Sequence, residues 1–447
     1  MKRKAVITIA NWAGVNTGDD VIFEALGNLI QKSANELQLK DVELFVLADN
    51  DFSIIKRYKN KYNIVDAIRI FEFYKLTNIL KTINFFTKSN LLIFGGGDLV
   101  NGNIPSMTLL GLAKIFGLPV ILVGIGAIYP TSTIARFITK LVLNHVDAIC
   151  VRDEKSRQCL ERLGITKPKI YSASDLVFTL TPTISLEKGK IGDSINQLKR
   201  LKNSKLLVGV NVRPYDQMYS EYSTWSNEKI MNTFAKICDS LIETYNAEII
   251  FIPMVIKDKT YPYHTNLLSD DEFSRKVIGL MKHRDKAHVV TDYQTLDNLF
   301  VLLSNIDVLV SMRLHTILLA SLVDTPSISI SYSPKVEIFM KELGNQYYIV
   351  PIYKLESRKI LSLISSLVND GSNNKLLRLS VNSLRSKAEL NKKIISEFLN
   401  RSLKNGKKSR LRIFVGVIAA FLIMCFNYFI FIMQKIMSII KRRRGKK

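Results

Sequence analysis

The chain is expected to fold as an α/β protein: two Rossmann-like halves facing a cleft, followed by a C-terminal apolar helix that attaches to a membrane. Three observations predict this. Short apolar runs alternate with helical patterns, stop in a polar stretch, and then start again, as two successive sets of βαβ units would. Glycine-rich or arginine-bearing motifs fall just after the apolar runs, where doubly wound sheets place ligands. Near the end of the chain, a long uncharged apolar run is bracketed by Lys and Arg.

The first half opens with an apolar run at Ala5–Ala10, a Gly-containing loop and a helical pattern from about Asp20 to Leu37. Further strands are expected at Val42–Ala48, Leu91–Phe94, within Gly117–Gly124 and at Ala148–Arg152. Lys155–Leu163 has a helical pattern stopped by Gly164. The opening Met1-Lys2-Arg3-Lys4 is too closely followed by Gly and Asp to read as a signal peptide, so a first strand is expected there. The second half repeats the alternation. Strands are expected at Leu206–Val212, Glu248–Pro253, Val289–Thr291, Val308–Ser311 and Ser327–Ser331. The intervening helices are expected at Lys229–Tyr245, Leu296–Ser304 and Thr316–Leu322. The domains are thus expected at 1–182 and 205–355, with a linker or flap at 183–204, amphipathic helices at 356–400 and a tail at 401–447. Two such halves around a cleft make the architecture called GT-B in sugar-modifying enzymes.

Of the 447 residues, 47% are hydrophobic and 23% charged, a composition that buries real cores. The formal charge is +24, but residues 401–447 hold 13 Lys and Arg and no carboxylate, leaving +11 for residues 1–400. A basic excess can serve nucleic acid, a membrane or anionic substrates. Here it brackets an apolar run and no nucleic-acid motif accompanies it, so anionic lipid is the expected partner and nucleic acid is not. The cysteines Cys150, Cys159, Cys238 and Cys425 form no CxxC pair and read as reduced, mostly buried thiols.

Five motifs carry possible chemistry. Asn16-Thr17-Gly18-Asp19 precedes a helix and reads either as a phosphate-accepting turn or as a helix cap. Gly95-Gly96-Gly97-Asp98 ends a strand and allows close backbone approach, but it is neither a P-loop nor a dinucleotide fingerprint. Val151-Arg152-Asp153-Glu154-Lys155-Ser156 puts Arg152 at a strand end, either for an anion or for a salt bridge. Val210-Asn211-Val212-Arg213-Pro214 does the same with Arg213. Ser311-Met312-Arg313-Leu314-His315 is the most specific. It leads from a strand into a helix, and Tyr332-Ser333-Pro334-Lys335 closes the next strand. His315 alone of the five histidines sits at such a switch; His145, His264, His283 and His288 are expected to be structural or exposed. Two cations and an imidazole at a helix start suit a dianionic phosphate. No metal site is expected, and Ser269-Asp270-Asp271-Glu272 reads as a solvated loop or helix cap.

Taken in order, NxGD, GGG, GxG, VRDExS, DLVF (Asp175–Phe178), RLH and YxPK resemble the polysaccharide pyruvyl transferase family over about residues 5–345. That resemblance implies a GT-B-like fold and phosphoenolpyruvate as co-substrate, with no other cofactor. It implies Arg152 of the first half and Arg213, Arg313, Leu314 and Lys335 of the second as donor-binding residues, and His315 as the catalytic acid–base group. Asn16, Gly18, Asp19, Gly95, Gly96, Gly97 and Asp98 are implied on the acceptor side, lined by the first half. One departure stands out: Ala127-Ile128-Tyr129-Pro130 follows Gly126, where relatives often carry another glycine. The implied product is a pyruvate ketal on a sugar of an envelope polysaccharide or its lipid-linked precursor. The alternatives are a nucleotide-sugar glycosyltransferase of the same architecture and a catalytically silent scaffold at the membrane. Released phosphate or released nucleotide separates the first two.

Ile413–Met433 is 21 residues without charge, enough at ~1.5 Å per residue to cross a hydrocarbon core of ~30 Å. Because both flanks are basic, spanning and interfacial arrangements are both open, and so is a buried contact within an oligomer. Attachment at the cytoplasmic face of the cell membrane is expected.

Overall fold

The computed structural model describes residues 4–14, 16–69, 72, 75–182, 206–215, 225–257, 268–291, 295–369, 372–404 and 409–423. These contain two parallel sheets. The first has seven strands in the order β3-β2-β1-β4-β5-β6-β7. They are β1 (Lys4–Ala10), β2 (Asp41–Ala48), β3 (Ile64–Arg69), β4 (Leu91–Gly95), β5 (Val120–Ile125), β6 (Ala148–Val151) and β7 (Lys169–Ser172). The second has six, in the order β10-β9-β8-β11-β12-β13. They are β8 (Leu207–Asn211), β9 (Glu248–Phe251), β10 (Ala287–Val289), β11 (Val308–Ser311), β12 (Ser327–Ser331) and β13 (Ile349–Pro351). Both orders turn back at the first strand of the set, which is the doubly wound pattern. Central strands such as β4, β5, β8 and β11 are buried along their length, as parallel strands covered on both faces must be.

Helices of the first sheet are α1 (Thr17–Glu36), α2 (Asp51–Tyr62), α3 (Leu76–Lys88), α4 (Ile104–Ile115), α5 (Thr133–Leu143) and α6 (Glu154–Arg162). Those of the second are α7 (Asn227–Tyr245), α8 (Asp270–Leu280), α9 (Leu296–Asn305), α10 (Leu314–Leu322), α11 (Pro334–Glu342) and α12 (Ser357–Asn369). The chain continues in α13 (Ser372–Lys404) and a helix over 410–423, here α14.

The compact units divide the chain at other points than the sequence suggests. Unit 1 comprises Met1–Val15, Ile22–Leu176 and Lys387–Lys447; unit 2 comprises Asn16–Val21 and Val177–Ser386. Local bonds explain both exchanges. Residues 16–21 join unit 2 because Thr17 N donates to Met254 O at 2.9 Å. The end of α13 joins unit 1 because Asn391 Nδ2 donates to Ser174 O at 3.2 Å and Lys392 pairs with Glu36 at 2.6 Å. The expected flap at 183–204 lies outside the described residues.

The expectation of a free apolar membrane helix needs correction. No described helix is long and apolar enough to cross a membrane. The described part of the Ile413–Met433 run is α14, and one of its faces packs on unit 1. Ala420 is fully buried in the core that contains Phe86, Leu112 and Phe116, with Ile413, Val417 and Ile423 against it. Gly416 makes this possible, since a Cβ there would come within 2.6 Å of the Phe116 ring. Small residues thus let α14 dock on α4 as an element of the fold. Residues 424–433 lie outside the described residues.

Candidate functional site

Unit 2 gathers charge at the carboxyl ends of β8, β11 and β12. The register aligns Ser311 with Asn211 on one side and with Ser329 on the other. Asn211, fully buried, organises the turn after β11. Its Nδ2 donates to Ile252 O at 2.7 Å, and its Oδ1 accepts the Arg313 backbone N–H at 3.1 Å. The Ser311 hydroxyl accepts the same N–H at 3.1 Å. A side-chain amide that bridges three strand ends fixes where Arg313 leaves the sheet.

The Arg313 guanidinium then meets Asp270 in a two-pronged contact, Nε to Oδ2 at 2.6 Å and Nη2 to Oδ1 at 2.5 Å. Burial pulls the Arg313 pKa down, but the Asp270 carboxylate, with help from Tyr332 and Asp19, leaves it above its ordinary value. Asp270 corrects the expectation of a solvated acidic loop. Ser269 does cap α8, with Glu272 completing a capping box. Asp270 itself is 0% exposed and also accepts the Met254 and Val255 N–H groups. Its two oxygens therefore bind both the turn after β9 and Arg313.

Arg213 donates through Nη1 to the Tyr332 hydroxyl at 3.0 Å and lies 5.3 Å from that ring's centroid. Burial pushes the Tyr332 phenol up, yet Arg213, Lys335 and Arg313 together bring its pKa below the ordinary value. Tyr332 is thus the residue on which three of the expected donor-site cations converge. Sequence reasoning quoted it as part of a motif without giving it a role.

Two helix starts border this group. Arg313 is the N-cap of α10 without a side-chain cap bond, so Leu314 and His315 lie in the helix's first turn. Leu314 is buried at 5% exposure and His315 half-buried. Ser333 is the N-cap of α11, and it too makes no side-chain cap bond. Its hydroxyl is buried, at 1% exposure, and has no hydrogen-bond partner among the described residues. Lys335, half-buried, follows one residue inside α11. Uncapped helix starts present N–H groups and positive dipole ends, both suited to an anion.

Asn16, Gly18 and Asp19 come to this same place. The Asn16 side chain accepts Gly18 N–H at 2.9 Å, and its backbone carbonyl accepts from Asp19 and Asp20, so the motif does cap α1. It also brings Gly18 against the imidazole: a Cβ on Gly18 would stand 2.5 Å from His315 Nδ1. Of the motif's two readings the cap is present, and the approach to His315 is a feature that the sequence did not suggest.

The remaining expected residues stand in unit 1. Gly95 and Gly96 pack under α1, where Cβ atoms would strike Leu26 and Ile22. Gly97 O accepts the Gly126 N–H at 2.7 Å. The glycine run thus serves close packing of helix on strand end. Arg152 is 2% exposed and ringed by carboxylates: Asp98 on Nη2, Asp175 at 3.3 Å and Asp153 at 3.7 Å. Burial lowers the Arg152 pKa, and the three carboxylates more than reverse this. Asp153 also caps α6 through Ser156 N at 2.7 Å, while the Ser156 hydroxyl accepts Ala127 N–H at 2.9 Å. Of the histidines, His283 and His288 sit 3.2 and 3.1 Å from Glu243 and Glu248, and His145 bonds Leu141 O at 2.7 Å. His264 lies outside the described residues. Among the described residues no cluster has the makings of a metal site.

Comparison with known proteins places this geometry. The family described as "Polysaccharide pyruvyl transferase" matches residues 16–334. The amylovoran biosynthesis protein AmsJ of Erwinia amylovora is 22% identical over 235 residues, 52% of this chain and 54% of that protein. The chain thus spans about half the length of that curated relative. Among solved structures, a UDP-N-acetylglucosamine 2-epimerase superposes with TM-score 0.59 at 12% identity, covering 92% of this chain and 98% of that one. The UDP-GlcNAc 2-epimerase of Neisseria meningitidis gives 0.56 at 14% identity, covering 89% and 100%. A glycosyltransferase from Rickettsia africae ESF-5 gives 0.55 at 13% identity, covering 90% and 100%. These structural likenesses establish a GT-B-like fold.

Proposed function

This chain belongs to the polysaccharide pyruvyl transferase family, and we propose that it moves the enolpyruvyl unit of phosphoenolpyruvate onto a sugar, closing a pyruvate ketal and releasing phosphate. The observation that carries the reading is the cationic group of unit 2. Arg213, Arg313 and Lys335 surround Tyr332, beside two helix starts and the buried Ser333 hydroxyl. Leaving such a hydroxyl unsatisfied costs about 1–3 kcal/mol, which a phosphate oxygen would recover. Phosphoenolpyruvate carries a phosphate and a carboxylate, so it needs several fixed cations. Asp270 engages Nε and Nη2 of Arg313, leaving the Nη1 edge for the donor to approach.

The chemistry balances within this set. His315, as imidazolium, delivers a proton to the donor's methylene carbon, and positive charge develops on the adjacent C2. A sugar hydroxyl oxygen bonds to C2 and its proton returns to the imidazole. The C2–O bond to phosphate then breaks. A second hydroxyl bonds to C2 and its proton leaves with the phosphate. Arg313, Arg213 and Lys335 hold the two anionic groups through both steps. Arg152, enclosed by Asp98, Asp153 and Asp175, acts as a scaffold in this scheme and makes no contact with the donor.

The acceptor is proposed to be a lipid-linked glycan, with the enzyme held at the cytoplasmic face of the membrane through residues 401–447. An interfacial attachment agrees with the docking of α14 on unit 1 better than a span does. Incubation with labelled phosphoenolpyruvate and a panel of lipid-linked glycans tests the function. Label should appear in the glycan with one phosphate released per transfer; nucleotide release from a sugar nucleotide instead would replace this reading by glycosyl transfer. His315→Ala should lose turnover by about 10²–10⁴-fold with an unchanged circular dichroism spectrum. Substantial residual activity removes the imidazole from the mechanism.

A further inference from the structure

The surface of unit 1 carries an apolar feature that its own core does not use. On α5, Ala135, Thr139 and Leu143 point inward, while Ile134 is 67%, Phe137 68% and Leu141 52% exposed. Their spacing of three and four residues makes one continuous stripe along the helix. A soluble helix keeps that face polar, because bare side chains of this size forgo the stabilisation of burial.

The same bareness appears on α14. Its inner face is docked on the Phe116 region, yet its outer face is apolar too: Leu411, Phe414, Ile418 and Leu422 are exposed at intervals of three and four residues. Both helices lean on α4. Gly111 of α4 faces Val142 of α5, and Phe116 and Gly117 at the end of α4 receive Gly416 and Arg412 of α14. Two bare stripes thus belong to one helical layer of one unit.

Charge says what covers them. From Leu99 to Val146, the stretch that builds α4 and α5, there is no Asp or Glu; Lys114 pairs with Asp147 just beyond it, and Arg136 and Lys140 stand on α5 itself. From Arg401 onward there is again none, and Arg410 and Arg412 stand beside the α14 stripe. Apolar side chains on helices whose own charged residues are Arg and Lys match a bilayer with anionic headgroups. A second copy of this basic layer would face like charge instead.

We propose that α5 and the outer face of α14 together form the surface by which unit 1 lies on an anionic lipid bilayer. This extends the membrane attachment proposed above, which rested on the tail alone. It makes the catalytic body itself a peripheral membrane element, with the tail as its neighbour.

Sedimentation of the full chain with vesicles tests it, using phosphatidylcholine alone or mixed with phosphatidylglycerol. Wild type should bind the mixed vesicles and not the neutral ones. An Ile134→Glu/Phe137→Glu double variant should lose about tenfold or more in partitioning. Phe52→Glu, an exposed apolar position on α2, should match wild type. Phe137→Trp should shift its emission to the blue on mixed vesicles. Wild-type binding by the double variant, with no shift for Phe137→Trp, overturns the α5 assignment. If deletion of 424–447 then abolishes binding, the tail reading survives alone; if the full chain binds no vesicle, both fall. A dimer that the double variant splits, without vesicle binding, would assign the face to a second copy and overturn the lipid. The catalytic reading is separate, since transfer to a soluble acceptor does not require this surface.

Discussion

Arg152 and Arg313 both follow the carboxyl end of a parallel strand, both are nearly or wholly removed from water, and both have their pKa raised by carboxylates that outweigh burial. What surrounds them differs. Arg152 is 2% exposed and faces Asp98, Asp153 and Asp175, so these four groups sum to a formal charge of −2. Arg313 is 13% exposed and, among the described residues, pairs with Asp270, with Arg213 and Lys335 nearby. With Asp19 counted as well, these five groups sum to +1. The same residue type in the same sheet position is thus enclosed by carboxylates in unit 1 and stands among cations in unit 2, where the proposed function gives it an anion to bind. The number of carboxylates per guanidinium decides which.

The comparison breaks most visibly at Arg152. Arg152→Met would leave the buried Asp153 and Asp175 and the half-buried Asp98 without this cation, at a cost of roughly 3–5 kcal/mol. A large fall in thermal midpoint is expected, with the KM for phosphoenolpyruvate unchanged wherever the variant remains folded. Arg213→Ala should do the opposite: a midpoint close to wild type and a rise in donor KM of about tenfold or more. A raised KM for Arg152→Met at an unchanged midpoint would move Arg152 into the donor site.

Gly18→Ala sharpens the comparison on the catalytic side. The new Cβ would sit 2.5 Å from His315 Nδ1, so the imidazole must shift. Displacements of this order cost up to about 10²-fold in turnover, and here the loss should appear in kcat while donor binding persists. Activity equal to wild type would mean that the place of the imidazole is immaterial.

The smallest effect concerns Tyr332. Its phenol ionises below the usual value of 10.0 in the folded chain, so the folded state releases that proton before the unfolded state does. Stability from this source is therefore present above the unfolded value and is lost as pH falls through the folded one. The difference in thermal midpoint between wild type and Tyr332→Phe should grow as pH rises toward 10. A flat difference would mean that the three cations do not act on the phenol.

Much of the fold was legible because buried parallel strands read as plain apolar runs. Leu91–Phe94 and Val308–Ser311 announce themselves. The strands that sequence reasoning missed, Ile64–Arg69, Lys169–Ser172 and Ile349–Pro351, all lie at or beside sheet edges. Covered on fewer sides, they tolerate Asp66, Lys169 and Pro351, and the apolar signal fades. The site was legible in its cations and not in the groups that position them. Nothing local marks Asn211 as the bridge to the Arg313 turn, or Asp270 as that arginine's partner 43 residues away. An acidic cluster reads as solvated until the fold closes over one member of it. Likewise, the tail's length measured its apolar content correctly but gave no sign that Gly416 and Ala420 would turn one side inward.

The buried thiols have a practical corollary. Burial pushes Cys150 up to about 12 and Cys159 up to about 11, and raises Cys238 further still. At neutral pH these three hold almost no thiolate and lie out of reach of an alkylating reagent. Fast modification of the native chain therefore reports on the fourth, Cys425, which falls within the apolar run of the tail. A thiol label at Cys425 can therefore be tried on the unaltered protein, with or without vesicles, with none of the three buried cysteines removed first.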